Sequence, residues 1–344
     1  MAHVIRTLIV DDSAFARKVV REILSTSALV DVVGLARDGE EALEMTATLK
    51  PDIVICDLQM PKLDGVGFVR RQMRIRPLPI LIVSSAAQDA AVVIEALNAG
   101  AIDIVQKPSA LATDDLRAIR DELVQKILAT VNAPLDNLAP DVQPLTRATL
   151  VPASGKVAIV VLGISTGGPQ ALRRMMPLLP ADFPVPMAIV LHMPVGYTAL
   201  FAEKLNEICP LEIKEAQEGD HVQVGRVLLA PAGRHLTFKA TPAGHVVAQL
   251  TMQPLEKIHR PSVDVLFRSA AEVYHDRVLA VVMTGMGDDG TEGSSWIKAE
   301  GGTVLTEAES SCVIYGMPRS VTEAGLSDAA VSLNDMAQAI TSRI

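Results

Sequence analysis

The sequence predicts an α/β chain in two parts: a (βα)5 domain linked to a doubly wound, mainly parallel α/β/α domain with an antiparallel hairpin. Three observations predict it. At 344 residues the chain exceeds what one hydrophobic core organises. Its 49% hydrophobic content is mostly Val, Ile, Leu and Ala, with 3% aromatics, which suits parallel strands buried on both faces. Short apolar runs alternate with helix-period segments on both sides of a proline-dotted stretch.

Apolar runs at 4–10, 30–36, 53–57, 80–84 and 102–106 read as strands. Segments 14–25, 40–50, 65–76, 90–99 and 114–128 read as the helices that follow them. Five βα units give a small parallel sheet with helices on both faces, assigned to residues 1–128. From 129 to 156 the pattern lapses, and Pro134, Pro140, Pro144 and Pro152 without any aromatic residue mark a semi-rigid linker. Residues 157–344 then form the second domain, with buried strands at 157–164, 185–191, 227–230, 278–284 and 303–305. Helices are expected at 170–179, 198–206, 262–274 and 293–299. Segments 236–239 and 245–250, separated by Thr241-Pro242-Ala243-Gly244, read as a hairpin.

Composition excludes several classes of function. The formal charge of −9, with no clustered Lys and Arg, argues against a nucleic-acid surface. No segment approaches the ~20 charge-free apolar residues of a membrane span, so a soluble cytoplasmic protein without membrane insertion is expected, as a monomer. Cys56, Cys209 and Cys312 are scattered and lack metal-ligand spacing, which fits reduced thiols.

In a parallel sheet, functional groups collect at the carboxyl edge. The first strand runs into Asp11 and Asp12, the third into Asp57, the fourth into Ser84 and Ser85, and the fifth into Lys107 and Pro108. Adjacent carboxylates repel unless a cation sits between them, and an oxygen-rich Asp pocket suits Mg²⁺. Asp57 is then placed to attack a phosphoryl group, with Mg²⁺ and Lys107 balancing charge on the transferred oxygens. Any one of these acids could simply cap a helix, as Asp12 or Ser13 could for 14–25. Capping asks for no lysine opposite the acids, so the set points to phosphate chemistry.

Leu8-Ile9-Val10-Asp11-Asp12, Asp57-Leu58-Gln59-Met60-Pro61 and Lys107-Pro108 resemble the signatures of bacterial response-regulator receiver domains over roughly residues 4–125. The resemblance implies Asp57 as phosphoacceptor, Asp11 and Asp12 with Asp57 as Mg²⁺ ligands, Ser84 as switch hydroxyl and Lys107 as the phosphate-facing cation. Ser85 leaves the switch position open by one residue.

In the second domain, Gly163-Ile164-Ser165-Thr166-Gly167-Gly168-Pro169 follows an apolar strand and opens a helix. Glycines flanking a serine permit a tight turn that exposes the hydroxyl, and the helix amino-terminus offers N–H groups to an oxyanion. A dinucleotide site would want an acid at the end of the next strand, but that strand ends in His192. A turn glycine-rich only for packing is the remaining bland alternative. Of seven histidines, His3, His221, His245 and His275 lie in exposed contexts. His192, closing the strand next to that of Ser165, is the first choice of base; His235 and His259 are runners-up that could instead line a cleft. The strand at 278–284 leads into Gly285-Met286-Gly287-Asp288-Asp289-Gly290, and either Asp could orient the imidazole or cap the next helix.

The stretches Gly163–Gly168, His192-Met193-Pro194, His259-Arg260-Pro261-Ser262-Val263-Asp264 and Thr284–Gly290 together resemble the CheB family of chemotaxis protein-glutamate methylesterases over nearly the whole chain. That resemblance implies a Ser165–His192–Asp289 triad with Thr166, Gly167 and Met286 near the reaction centre. It also implies demethylation of glutamyl methyl esters on chemoreceptors, deamidation of selected glutamines, a histidine kinase as phosphodonor, and no cofactor for the esterase half. The unphosphorylated first domain is expected to restrain the Ser165 cleft. A regulator whose second domain only binds a partner, and a nucleotide-dependent reductase, are the competing classes.

Overall fold

Apolar runs rich in Val and Ile become strands where both of their faces are covered, and the first unit is built that way. The computed structural model of the chain describes residues 4–84, 90–107, 113–133, 148 and 156–344, with no side chains described at 113–118. It divides into two units, Met1–Val142 and Gln143–Ile344. Ser85, Pro108 and most of the expected linker fall outside the described residues.

The first unit alternates β1 (Ile5–Val10), α1 (Ala14–Leu24), β2 (Val30–Ala36), α2 (Gly39–Leu49), β3 (Ile53–Cys56), α3 (Gly65–Ile75), β4 (Ile80–Ser84), α4 (Ala90–Asn98), β5 (Asp103–Gln106) and α5 (Thr113–Thr130). Side-chain caps start three of the helices: Ser13 accepts from Ala16 N, Asp38 from Glu40 N and Glu41 N, and Asp64 from Gly67 N. The sheet is parallel in the order β2-β1-β3-β4-β5. Chain direction across it reverses between β1 and β3, and there Asp57 N donates to Val10 O at 2.8 Å. Asp11 and Asp57 therefore emerge side by side at the switch point.

The second unit carries β6 (Ile159–Ile164), α6 (Gly168–Met175), β7 (Met187–Leu191), α7 (Thr198–Asn206), β8 (Glu212–Glu215) and β9 (Arg226–Leu229). The hairpin β10 (His235–Ala240) and β11 (Val246–Thr251) is antiparallel, as expected. There follow α8 (Val263–Tyr274), β12 (Val278–Val282), α9 (Thr291–Ala299), β13 (Thr303–Glu307), α10 (Met317–Glu323), β14 (Ala329–Val331) and α11 (Leu333–Thr341). The helix expected over 170–179 ends at Met175 and continues as a 3-10 turn, because Pro177 has no N–H for the α ladder. Two edge strands, β8 and β14, have no apolar run to announce them, being polar or only three residues long. No element is expected beyond 305, yet Leu333, Met336, Ala337 and Ile340 bury one face of α11 at helical spacing.

The seven strands of the large sheet run parallel in the order β14-β13-β12-β6-β7-β9-β8. The chain builds outward from β6 on one side and then restarts at β12 on the other, so the switch point lies at β6. On one face, α8 buries Val263, Leu266, Phe267, Ala270 and Ala271 against Ile159, Val161, Ala280 and Val282. Removing a side chain the size of Phe267 or Leu266 from water stabilises the domain by ~1.5–3 kcal/mol each. The hairpin docks on the same helix, with Phe238 in the core and Phe238 N bonded to Ser269 Oγ at 2.8 Å. Gly163 permits the closest approach, since a Cβ there would stand 2.2 Å from Val263 Cγ1. The amino-terminus of α8 is thereby pressed against the strand that ends in Ser165.

Candidate active site

In the first unit, the polar residues at the strand ends meet as the sequence suggests. Lys107 Nζ lies 2.7 Å from Asp11 Oδ2 and 2.8 Å from Asp57 Oδ2. Asp11 Oδ1 accepts from Ser13 N and Asp57 Oδ1 from Leu58 N, both at 2.8 Å. Carboxylate oxygens of Asp11, Asp12 and Asp57 come within 4.8 Å of one another, Asp12 being the exposed member. Burial pushes the Asp57 carboxyl above its usual range, against the opposing pull of Lys107, and the Asp11 charge adds to the rise. A cluster of hard oxygen donors with this excess of negative charge fits Mg²⁺. Buried Ser84 ends β4, and its carbonyl accepts from Lys107 N at 2.7 Å. Gly65 is required beside the acid, because a Cβ there would sit 2.2 Å from Asp57 O.

In the second unit, Ser165 follows β6 and its backbone is held from two directions. Ser165 N donates to Thr284 O at 2.9 Å, and Gly168 N donates to Ser165 O at 2.7 Å. Gly167 has φ +79°, and a Cβ there would meet Val313 at 2.6 Å, so only glycine fits the turn. The helix α6 begins at Gly168 with Pro169 in its first turn and no side-chain cap. Its positive end thus opens beside the serine. Buried Thr166 is fixed through its carbonyl, which accepts from Thr284 Oγ1 at 3.0 Å.

Strand pairing puts His192 next to Ser165. Ile164 pairs with Leu191, and His192 N donates to Ile164 O at 3.1 Å, so both residues are one step past paired strand ends. The His192 ring bonds through Nε2 to Asp289 Oδ2 at 2.9 Å. A carboxylate only accepts, so Nε2 carries the proton and Nδ1 the lone pair. That Nδ1 is buried and has no partner. Among the described residues no hydrogen bond joins the Ser165 hydroxyl to the ring; such bonds commonly close only when substrate binds. His259 stacks on His192 with ring centroids 4.2 Å apart and planes at 20°.

Asp289 is the better served of the two candidate acids. Asp288 is exposed, and its carbonyl accepts from Thr291 N at 3.0 Å. Asp289 is buried and takes four donors: His192 Nε2, Val263 N at 2.8 Å, Ser262 Oγ at 2.9 Å and Asp264 N at 3.0 Å. Burial pushes its carboxyl up, but the bond and charge of His192 and the N–H groups of Asp264 and Val263 outweigh that and hold it well below the usual range. Asp264 returns the arrangement, its Oδ1 accepting from Gly290 N and Gly293 N at 2.8 Å at the start of α9. Asp289 thus caps α8, the helix that contains Asp264, and Asp264 caps α9, the helix that follows Asp289.

Of the remaining residues, Met286 is half-buried on the loop after β12. His235, a runner-up as base, uses both ring nitrogens elsewhere: Nε2 faces Pro254 O at 3.3 Å and Nδ1 accepts from Ser262 N at 3.2 Å. Sequence reasoning singled out neither Thr284 nor Glu307. Glu307 Oε2 accepts from Thr284 N at 2.9 Å, and Thr284 in turn holds Ser165 and Thr166. The available signal was a carboxylate directly after the short run Thr303-Val304-Leu305-Thr306.

Comparison with known proteins finds relatives of both units. The CheB methylesterase family matches residues 160–340, and the response regulator receiver domain matches residues 7–119. A protein-glutamate methylesterase/protein-glutamine glutaminase of Myxococcus xanthus is 49% identical over 96% of this chain and 96% of its own length. A Thermotoga maritima protein of the same description is 42% identical over 95% of this chain and 94% of its own. The crystal structure of the Thermotoga maritima CheB methylesterase catalytic domain is 40% identical, with a TM-score of 0.52 over 54% of this chain and 97% of that one.

The Thr284 ledge yields a pH-dependent stability. Burial raises the Glu307 carboxyl from its ordinary 4.5 to about 7, against the bonds from Thr284 and Ser311 and the charge of Arg174. The folded state therefore keeps this proton where the unfolded chain loses it. The group's contribution is full below the unfolded value and declines as pH rises through the folded one, by about 3 kcal/mol in all. Glu307→Gln keeps an acceptor for Thr284 N and removes the titration. In urea unfolding, the variant should gain on the wild type steadily between pH 4.5 and 7. A constant difference across that range would show that Glu307 does not titrate there.

Proposed function

The chain belongs to the CheB methylesterase family, joined to a response regulator receiver domain, and we propose that it is a serine esterase switched on by phosphorylation. Its substrates on this reading are glutamate γ-methyl esters of chemoreceptor cytoplasmic domains, with selected glutamines deamidated by the same site. One observation carries the reading: the His192–Asp289 bond leaves a bare, buried Nδ1 at the strand ends that also present Ser165.

The Ser165 hydroxyl attacks the ester carbonyl as His192 Nδ1 takes its proton. Asp289 stabilises the imidazolium through Nε2–H and fixes the ring. The uncapped start of α6, at Thr166, Gly167 and Gly168, supplies positive potential for the oxyanion, with Met286 at the rim of the site. Collapse expels methoxide, which leaves as methanol with the proton from His192. Water, deprotonated by the same nitrogen, then attacks the acyl-enzyme and releases the free carboxylate and Ser165. A glutamine follows the same course with ammonia as the leaving group.

In the receiver, Asp57 is the proposed phosphoacceptor, with a histidine kinase as the source of phosphate. Asp11, Asp12 and Asp57 would hold Mg²⁺, which neutralises charge on the transferred phosphoryl group when bound. Lys107, already bonded to Asp11 and Asp57, would turn to the phosphate oxygens. Ser84 is the proposed switch hydroxyl. No helix among the described residues is long and apolar enough to cross a membrane; a cytoplasmic, monomeric protein is the proposed working form.

Two experiments test these roles. Methanol release from methylated receptor membranes should fall by about 10⁴-fold in Asp289→Asn and at least as far in Ser165→Ala; undiminished release from Ser165→Ala would favour a binding module. A small phosphodonor with Mg²⁺ should raise the activity of the wild type but not of Asp57→Ala. Moving a mostly closed population to a mostly open one requires about 5 kcal/mol, and full activation of Asp57→Ala would remove Asp57 from the switch.

A further inference from the structure

Asp289 faces His192 with one oxygen and a protein cradle with both. Oδ2 takes Val263 N and His192 Nε2; Oδ1 takes Asp264 N and Ser262 Oγ. Two of these donors are backbone groups of the first turn of α8. The Ser262 hydroxyl is therefore the side-chain donor, other than the imidazole itself, that sets how the carboxylate is rotated.

Ser262 occupies the N-cap position of α8, where a serine hydroxyl ordinarily accepts from a backbone N–H two or three residues on. Here it makes no such bond. Asp289 has taken the N–H groups of Val263 and Asp264 instead, and the Ser262 hydroxyl donates to Asp289. The exchange converts a cap into a support for the acid. It also depends on the backbone of Ser262 being held independently of its side chain. His235 does this: it is fully buried, its Nε2 donates to Pro254 O, and its Nδ1 accepts from Ser262 N. Burial lowers the pKa of His235, and the neighbouring charge of Arg260 adds to that, against the Pro254 bond and the charge of Asp289. A neutral ring is the form that can accept from an N–H.

We propose that Ser262, anchored by His235, is a positioning residue of the esterase reaction: its hydroxyl fixes the Asp289 carboxylate so that Oδ2 points at His192. The assignment rests on the esterase reading above. Nothing in it involves contact with substrate, so the effect falls on turnover rather than on binding.

The test uses the full chain with a small phosphodonor, comparing wild type, Ser262→Ala and Ser262→Thr. In Ser262→Ala, kcat for methyl-ester hydrolysis should fall about 10-fold, in keeping with the loss of one hydrogen bond to a charged group, with KM changed less than about twofold. Ser262→Thr, which keeps an Oγ donor, should recover most of kcat. A second readout does not need turnover or the threonine variant. The downfield proton resonance of His192 Nε2–H should be sharp in the wild type and broadened or displaced in Ser262→Ala. Wild-type kcat in Ser262→Ala would overturn the proposal, as would a lower kcat with an unchanged His192 resonance, which marks a purely structural role. An inactive wild type would instead refute the esterase reading, and the resonance comparison would still decide the role of Ser262.

Discussion

A carboxylate taken out of water needs donors, and Asp289 finds three of its four within residues 262–264, at the start of α8. The arrangement of the catalytic face follows from this contact. The helix dipole and its free N–H groups favour a negative charge at that end, which keeps Asp289 ionised despite its burial. An ionised Asp289 makes Nε2 the protonated nitrogen of His192 and leaves the lone pair on Nδ1, the proposed base. Gly163 lets α8 approach the strand that leads into Ser165, so the acid is brought to the side of the sheet that carries the proposed nucleophile. The reciprocal bonds of Asp264 to Gly290 N and Gly293 N tie α9 into the same cluster. With each acid capping the other's helix, the loop that carries Asp289 has little freedom to drift.

Both halves of the chain use one topological device for different chemistry. Where a parallel sheet reverses its direction of growth, the loops at the carboxyl edge diverge and leave a crevice. In the receiver this point lies between β1 and β3 and gathers Asp11, Asp57 and Lys107. In the esterase it lies at β6, with β7 and β12 on either side, and gathers Ser165, His192 and Thr284. The receiver cluster sets three carboxylates against one lysine, which favours a cation among them. The esterase cluster pairs one strongly stabilised carboxylate with an imidazole, which suits proton transfer.

Much of this was readable from residue order. Alternating apolar runs located the central strands, because strands covered on both faces have to be continuously apolar, and Thr241-Pro242-Ala243-Gly244 marked the hairpin. The edge strands Glu212–Glu215 and Ala329–Val331 were not legible, since an edge tolerates polar residues and short length. The chemistry-bearing side chains stand at the ends of strands that could be seen, and so their types and positions pointed to them. Asp288 and Asp289 could not be separated by their own chemistry, and only the family resemblance favoured Asp289; the physical distinction lies in which of two adjacent side chains meets α8, a tertiary fact. The same holds for Ser262 and Glu307, whose bonds to Asp289 and Thr284 join residues more than 20 positions apart. His235 reads as a candidate base in sequence but lies buried with both nitrogens engaged.

The proposed dependence of Ser165 on Asp289 through His192 can be measured with a serine-directed fluorophosphonate on the full chain in the presence of a phosphodonor. Labelling should map to Ser165 alone and proceed at least about 10³-fold more slowly in Asp289→Asn, in keeping with the loss seen when a triad acid can no longer hold the tautomer. Equal labelling rates in the two proteins, or a label on any other serine, would contradict the arrangement proposed for the site.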